Sequence, residues 1–390
     1  MIEQLKQHLT DKVLPFWMNL RDPRNGGWYG YMNYDLSVVP SAHKGCILNS
    51  RILWSFATAA RLTGDASYRA CAEEALRFME RFEDPDEGGV YWSVTAEGEP
   101  LDKTKHTYCQ AFAIYGLAAW VRLTGDQRAL DKAMALFHII EDRCTDEGGY
   151  GEAYKPDFSP ESNEKLSENG VMASRTMNTL LHVLEAYAEL YRAHPDEEVR
   201  RAGITCLERF LKVMYTPEKR RLEVFFDADY RPLLDMQSYG HDIEGSWLIW
   251  DAVETLLPEA ERAPYQAMCE TLAASVYDRA WTDHGLKNEY VNGEVNETRI
   301  WWVQAETVLG FANAWALTGD RKYLDAVHHE WQYIQDVIVD HRAGGEWYWC
   351  CEENGAPFTE KPIVEEWKCP YHNSRMCLRL MEKAQEGLTL

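Results

Sequence analysis

Internal repetition constrains this chain more than any other feature, because a unit copied about every 60 residues must fold into copies of one local structure. Leu62-Thr63-Gly64-Asp65, Leu123-Thr124-Gly125-Asp126 and Leu317-Thr318-Gly319-Asp320 each close an apolar stretch. The first two lie 61 residues apart and the third lies 194 further on, close to three more periods, so the intervening copies have drifted. A glycine-aromatic marker recurs in step: NGGWYGY at 25–31, EGGVYW at 87–92, EGGYGEAY at 147–154, RLEVFFD at 221–227, HGLKNEY at 284–290 and GGEWYW at 344–349. Between markers the pattern reads helix, turn, helix. CQAFAIYGLAAWVRL (109–123) is apolar nearly all round, as a helix buried on every side must be. Residues 67–82 instead carry one apolar stripe, Tyr68, Cys71, Ala72, Ala75, Leu76, Met79 and Phe82, at helical spacing. One helix is inner and its partner outer. In the shared turn, glycine can end the inner helix in a left-handed conformation and aspartate can cap the next. Six such units with no polar capping repeat predict an all-α fold: a closed (α/α)6 barrel, with short β-hairpin loops at one end. No Pro-, Gly- or Ser-rich linker divides the chain, so residues 1–390 are expected to form one catalytic domain.

Composition narrows the function. With 40 Lys and Arg against 63 Asp and Glu, the formal charge is −23, which would repel a phosphate backbone; nucleic acid is not an expected partner. The chain has no 18-residue apolar run and its start lacks the features of a signal peptide, so no membrane partner and a cytoplasmic location are expected. Ten cysteines show neither zinc-site nor disulfide spacing. Fifteen Trp and 21 Tyr supply flat faces suited to sugar rings, although cores use the same residues.

Polar residues interrupt the inner helices near their starts: Arg51, Tyr108, Asn178 with His182, His241 with Glu244, Trp302 with Glu306, and His372 with Arg375. The first of each set are separated by 57, 70, 63, 61 and 70 residues, which places them at one level of the barrel. Spacings of three or four put both members of a pair on one helix face. In a ring of parallel inner helices those faces meet in one cavity, where six positive helix ends favour a reaction that develops negative charge. Taken singly, each residue has a plain structural explanation. His241, Asp242 and Glu244 could cap a helix, His182 could be a satisfied core histidine, and Arg51 could be half of a buried ion pair. Trp302 and Trp367 could be core residues. Recurrence in register favours a site. Glu168 and Asn169, and Asp102 and Lys105, lie in loops and are read as structural or solvated. Dense metal-ligand spacing is absent and an arginine shares the cavity, so neither a metal nor another cofactor is expected. Phosphate-binding glycine loops and the G-x-S-x-G elbow are also absent.

KGCILNSRILWSFA, KHTYCQAFAIYGL, LSENG with TMNTLLHVLEAY, SYGHDIEGSWL, RIWWVQAE and WKCPYHNSRMC together resemble motifs of the cellobiose 2-epimerases, within the N-acylglucosamine 2-epimerase superfamily of (α/α)6 barrels. The resemblance runs from LPFWMNLRDPRNGGWYGY to PYHNSRM, nearly the whole chain. It implies reversible inversion at C2 of the reducing-end sugar of β-1,4-linked disaccharides. It also implies that His241 and His372 are the acid/base pair, that Arg51 and His182 bind and polarise the reacting end, and that Glu244 supports His241. Tyr108, Asn178, Trp302, Glu306 and Trp367 would then shape the sugar subsites. The expected partner is a small disaccharide, and the chain is expected to be a monomer. Three alternatives stay open: a monosaccharide 2-epimerase or mannose isomerase of the same superfamily, a glycoside hydrolase using Glu244 and Glu306, and a non-catalytic sugar-binding protein.

Overall fold

The computed structural model describes residues 1–390. In chain order its helices are α1 (Ile2–His8) and α2 (Leu14–Asn19), joined by a π turn, then α3 (Cys46–Thr63), α4 (Ala66–Met79), α5 (Thr107–Thr124), α6 (Gln127–Arg143) and α7 (Met177–Ala193). These are followed by α8 (Glu197–Arg209), α9 (Tyr239–Leu256), α10 (Ala263–Arg279), α11 (Trp301–Thr318), α12 (Arg321–Tyr333) and α13 (Tyr371–Gln385). The odd-numbered helices from α3 to α13 touch in sequence, and α13 returns to α3, closing the inner ring. Helices α4, α6, α8, α10 and α12 pack outside it, and α1 covers α13. The architecture is the (α/α)6 barrel that the repeat predicts.

The LTGD turns behave as their residues require. Gly64, Gly125 and Gly319 end α3, α5 and α11 at φ of 73°, 72° and 66°, a left-handed conformation that glycine adopts without steric cost. Asp65, Asp126 and Asp320 then accept backbone N–H groups in the first turn of α4, α6 and α12. Each preceding threonine returns its hydroxyl to a carbonyl four residues back. In the drifted third copy, Asp196 still caps α8.

The six markers are hairpins, closed by the pairs Arg21–Trp28, Glu83–Val90, Thr145–Tyr150, Tyr215–Leu222, Trp281–Leu286 and Val339–Trp347. They lie between each outer helix and the next inner helix, and buried ion pairs tie them down. Lys44 reaches Asp22 at 2.8 Å, Lys105 reaches Asp84 at 2.8 Å and Lys368 reaches Glu346 at 2.7 Å, each lysine standing two or three residues before an inner helix. The hairpins thus fix where the inner helices begin.

A second ionic layer closes the opposite end. Arg122, Arg192 and Arg379 converge on the buried Glu189, and Arg192 also meets Asp251 at 2.6 Å. Although burial opposes ionisation, these arginines hold both Glu189 and Asp251 down to about 2. Their folded values are depressed, so the stability they contribute is complete above their unfolded values near 4.5 and 3.8 and is lost as pH falls through about 2. Replacing Arg379 by alanine is expected to destabilise the fold by about 3 kcal/mol and to move acid unfolding to higher pH. Denaturant melts monitored by circular dichroism across that pH range check both.

Candidate active site

A cavity of 310 Å³ opens at the hairpin end of the ring, where the inner helices begin. Arg51, Tyr108, Asn178, His182, His241, Glu244, Trp302, Trp367 and His372 all line it. They occupy two levels rather than one. Tyr108, Asn178, Trp302 and His372 are the second residues of their helices and His241 the third, whereas Arg51, His182, Glu244 and Glu306 are the sixth. Four residues at 1.5 Å each set the second layer about 6 Å deeper. Glu306 does not reach the cavity: it is fully buried, behind His372. Glu168, read from sequence as structural or solvated, does line the cavity, with Lys165 and Glu289.

Three imidazoles share one arrangement. His182 Nδ1 meets Glu185 at 2.9 Å, His372 Nδ1 meets Glu306 at 2.7 Å, and His241 Nδ1 meets the Ser238 hydroxyl at 2.7 Å. In each ring Nε2 has no protein partner and is the nitrogen left for a ligand. The Trp302 ring packs against both His241, at 4.9 Å between centroids, and His372, at 5.4 Å. The two imidazoles are therefore no farther apart than the sum of those distances. Gly240 permits this packing, because a Cβ there would lie 2.6 Å from the Trp302 ring.

Behind the imidazoles, Arg375 is the hub. Its guanidinium donates to Glu185 at 2.6 Å, to Glu306 at 2.7 Å and to Glu244. Glu244 therefore does not support His241, as the resemblance implied; Ser238, the N-cap of α9, does. Asp242 is no cap either: it accepts from the Leu222 backbone at 2.9 Å and from Gln237 at 2.7 Å, anchoring the helix start to the neighbouring hairpin. One guanidinium cannot hold three buried carboxylates ionised. Burial and the neighbouring Glu306 push Glu244 up to about 7, burial raises Glu306, and Glu185 stays well below its usual range because Arg375, His182 and Tyr371 outweigh its burial. Burial, with His182 nearby, takes His241 down to about 3; burial, with Arg375 and Arg51 nearby, takes His372 well below 6.5. Both are neutral at neutral pH, the form that accepts a proton.

Arg51 has no carboxylate partner, so the ion pair considered from sequence is absent. It donates to the Tyr108 hydroxyl at 3.0 Å and to the Trp367 carbonyl at 3.3 Å, and it lies over the Phe112 and Tyr371 rings at 4.2 and 4.5 Å. A buried, uncompensated positive charge in a cavity is suited to an anion. Glu244, Glu306 and His372 are close enough to suggest a metal cluster, but the Arg375 guanidinium already stands between the two carboxylates. The sequence reading missed Glu185, Tyr371 and Ser238. Two of them carried a signal: Ser238 and His241 have N-cap spacing, and His182 and Glu185 stand three apart on one helix face.

Comparison with known proteins places the chain in a family. The N-acylglucosamine 2-epimerase family model matches residues 27–373. A cellobiose 2-epimerase of Eubacterium cellulosolvens is 45% identical, with 98% of this chain and 99% of that protein covered. The crystal structure of a sugar epimerase from a ruminal bacterium matches with a TM-score of 0.97 at 42% identity over the whole of both chains. The cellobiose 2-epimerase of Bacillus thermoamylovorans matches with a TM-score of 0.95 at 41% identity, covering 98% of this chain and 99% of that one. On a family match across most of its length and similarity to these epimerases from end to end, the chain belongs to the N-acylglucosamine 2-epimerase family and is an epimerase.

Proposed function

We propose that the protein reversibly inverts C2 of the reducing-end sugar of β-1,4-linked disaccharides such as cellobiose and lactose, between the glucose and mannose configurations, without a cofactor. The observation that carries this reading is the pair of neutral imidazoles, His241 and His372, each tied at Nδ1 and open at Nε2, both in contact with Trp302. The cellobiose 2-epimerases among its relatives support the disaccharide class.

The C2 proton becomes acidic once the sugar ring has opened to an aldehyde. One imidazole takes that proton through Nε2, the C2 electron pair forms a double bond to C1, and the aldehyde oxygen becomes an enediolate oxyanion. Arg51 and the inner-helix N-termini stabilise the oxyanion, and its negative charge lets the other imidazole take up a proton from solvent at Nε2 and deliver it to the opposite face, while the first imidazole releases the abstracted proton to solvent. Glu306 holds the His372 ring in orientation at Nδ1 and shares the charge it acquires. Trp302 and Trp367 stack on sugar faces and exclude water, while Tyr108, Asn178 and His182 hold hydroxyls.

The hydrolase alternative needs two carboxylates flanking a glycosidic bond. Glu244 and Glu306 instead converge on the same Arg375 nitrogen, and only Glu244 lines the cavity. Incubating the enzyme with cellobiose and separating the products is expected to give a glucosyl-mannose disaccharide and no free glucose. Release of monosaccharide would favour the hydrolase, and turnover of D-mannose but not cellobiose would favour a mannose isomerase.

A further inference from the structure

We propose that Glu185 is a positioning residue that fixes His182 with its ring proton on Nδ1, so that His182 offers Nε2 to the reducing-end sugar as a hydrogen-bond acceptor. The proposal rests on the epimerase reading above and adds a residue that reading does not use.

Three donors from two helices converge on this carboxylate. His182 Nδ1, three residues back on α7, lies 2.9 Å from Oε2; Arg375 Nη1 on α13 lies 2.6 Å from Oε1; the Tyr371 hydroxyl also donates to Oε2. A carboxylate with a guanidinium on one oxygen and a phenol on the other is held ionised, and burial does not overcome these partners. An ionised carboxylate only accepts, so the shared proton sits on His182 Nδ1. In a neutral imidazole Nε2 then carries the lone pair. Aromatic neighbours support this orientation: Phe112 packs against the His182 ring at 4.8 Å, tilted, and Tyr108 at 5.1 Å between centroids, near perpendicular.

His372 has a carboxylate behind it too, but a different one. Glu306 competes with Glu244 for one Arg375 nitrogen and its carboxyl is raised by burial, whereas no second carboxylate shares the other nitrogen with Glu185, which has only the Tyr371 hydroxyl beside it there. The site therefore holds two carboxylate-backed imidazoles in different settings: His372, whose partner Glu306 shares its guanidinium nitrogen with Glu244, and His182, whose partner Glu185 is held by a guanidinium and a phenol. Tautomer control by a buried carboxylate is the same device that orients metal-bound and triad histidines.

Long-range proton–nitrogen NMR of enzyme labelled with 15N-histidine tests this, with the His182 signals assigned by their loss in His182→Asn. The wild-type ring is expected to be the Nδ1–H tautomer at neutral pH. In Glu185→Gln the amide can turn its NH2 group to Nδ1, so the ring is expected to shift toward the Nε2–H form, with kcat/KM for C2 epimerisation falling at least tenfold. Tyr371→Phe removes one donor from the same carboxylate and should leave the tautomer unchanged. A wild-type ring in the Nε2–H form, or protonated at both nitrogens at neutral pH, overturns the proposal, as does Glu185→Gln with wild-type tautomer and kcat/KM. If Glu185→Gln does not fold, the wild-type tautomer decides alone. Wild-type enzyme that epimerises no disaccharide would overturn the functional reading instead, which the tautomer does not depend on.

Discussion

Replacing His372 by alanine is expected to lower kcat for C2 epimerisation about a thousandfold, with a much smaller change in KM, because a general acid or base contributes to the transition state rather than to ground-state binding. The side chain lines a cavity, and its main polar tie is to Glu306, which keeps Arg375 and the Trp247 indole as partners when the imidazole is gone. The fold should survive, and thermal unfolding monitored alongside steady-state kinetics separates lost chemistry from lost structure. His372→Asn, which keeps a polar group but cannot carry a proton near neutrality, should do no better.

Replacing Arg51 by methionine is expected to cost about 3 kcal/mol of transition-state stabilisation, a loss of a few hundredfold in kcat/KM. The same variant should be no less stable than the parent. Arg51 has no carboxylate to leave stranded, and its Nε is buried without a partner, so its removal relieves an uncompensated charge while methionine fills a similar volume. Lower activity at equal or greater stability is the signature of a group kept for function. Arg51→Lys keeps the charge but loses the planar set of donors, and should recover only part of the rate.

The barrel was legible because its period is long and its punctuation chemical: a glycine that must be left-handed and an aspartate that must cap recur at fixed offsets, and each turned out to do that work. The cavity residues were legible as a set for the same reason. Their depth was not. Aligning the helices on the first polar residue of each set put Arg51 level with Tyr108, whereas the helix starts show one turn between them. The first polar residue of each set falls in the first turn of every inner helix except α3, where it falls in the second, and an apolar pattern alone fixes a helix start only loosely. Pairings were less legible still. Arg375 meets Glu244, Glu306 and Glu185 from 131, 69 and 190 residues away, and no local spacing records such contacts. Glu244, which the resemblance assigns to His241, bonds instead to Arg375, a partner that no local spacing marks.

The central claim is that an imidazole removes the C2 proton and a second returns one to the other face. Running the reaction in deuterated water and reading C2 of the product by proton NMR tests it most directly. The account predicts an epimer carrying deuterium at C2 and loss of the C2 proton signal in step with turnover. An epimer that keeps its original C2 proton throughout would contradict it, since inversion would then have proceeded without exchange through either histidine.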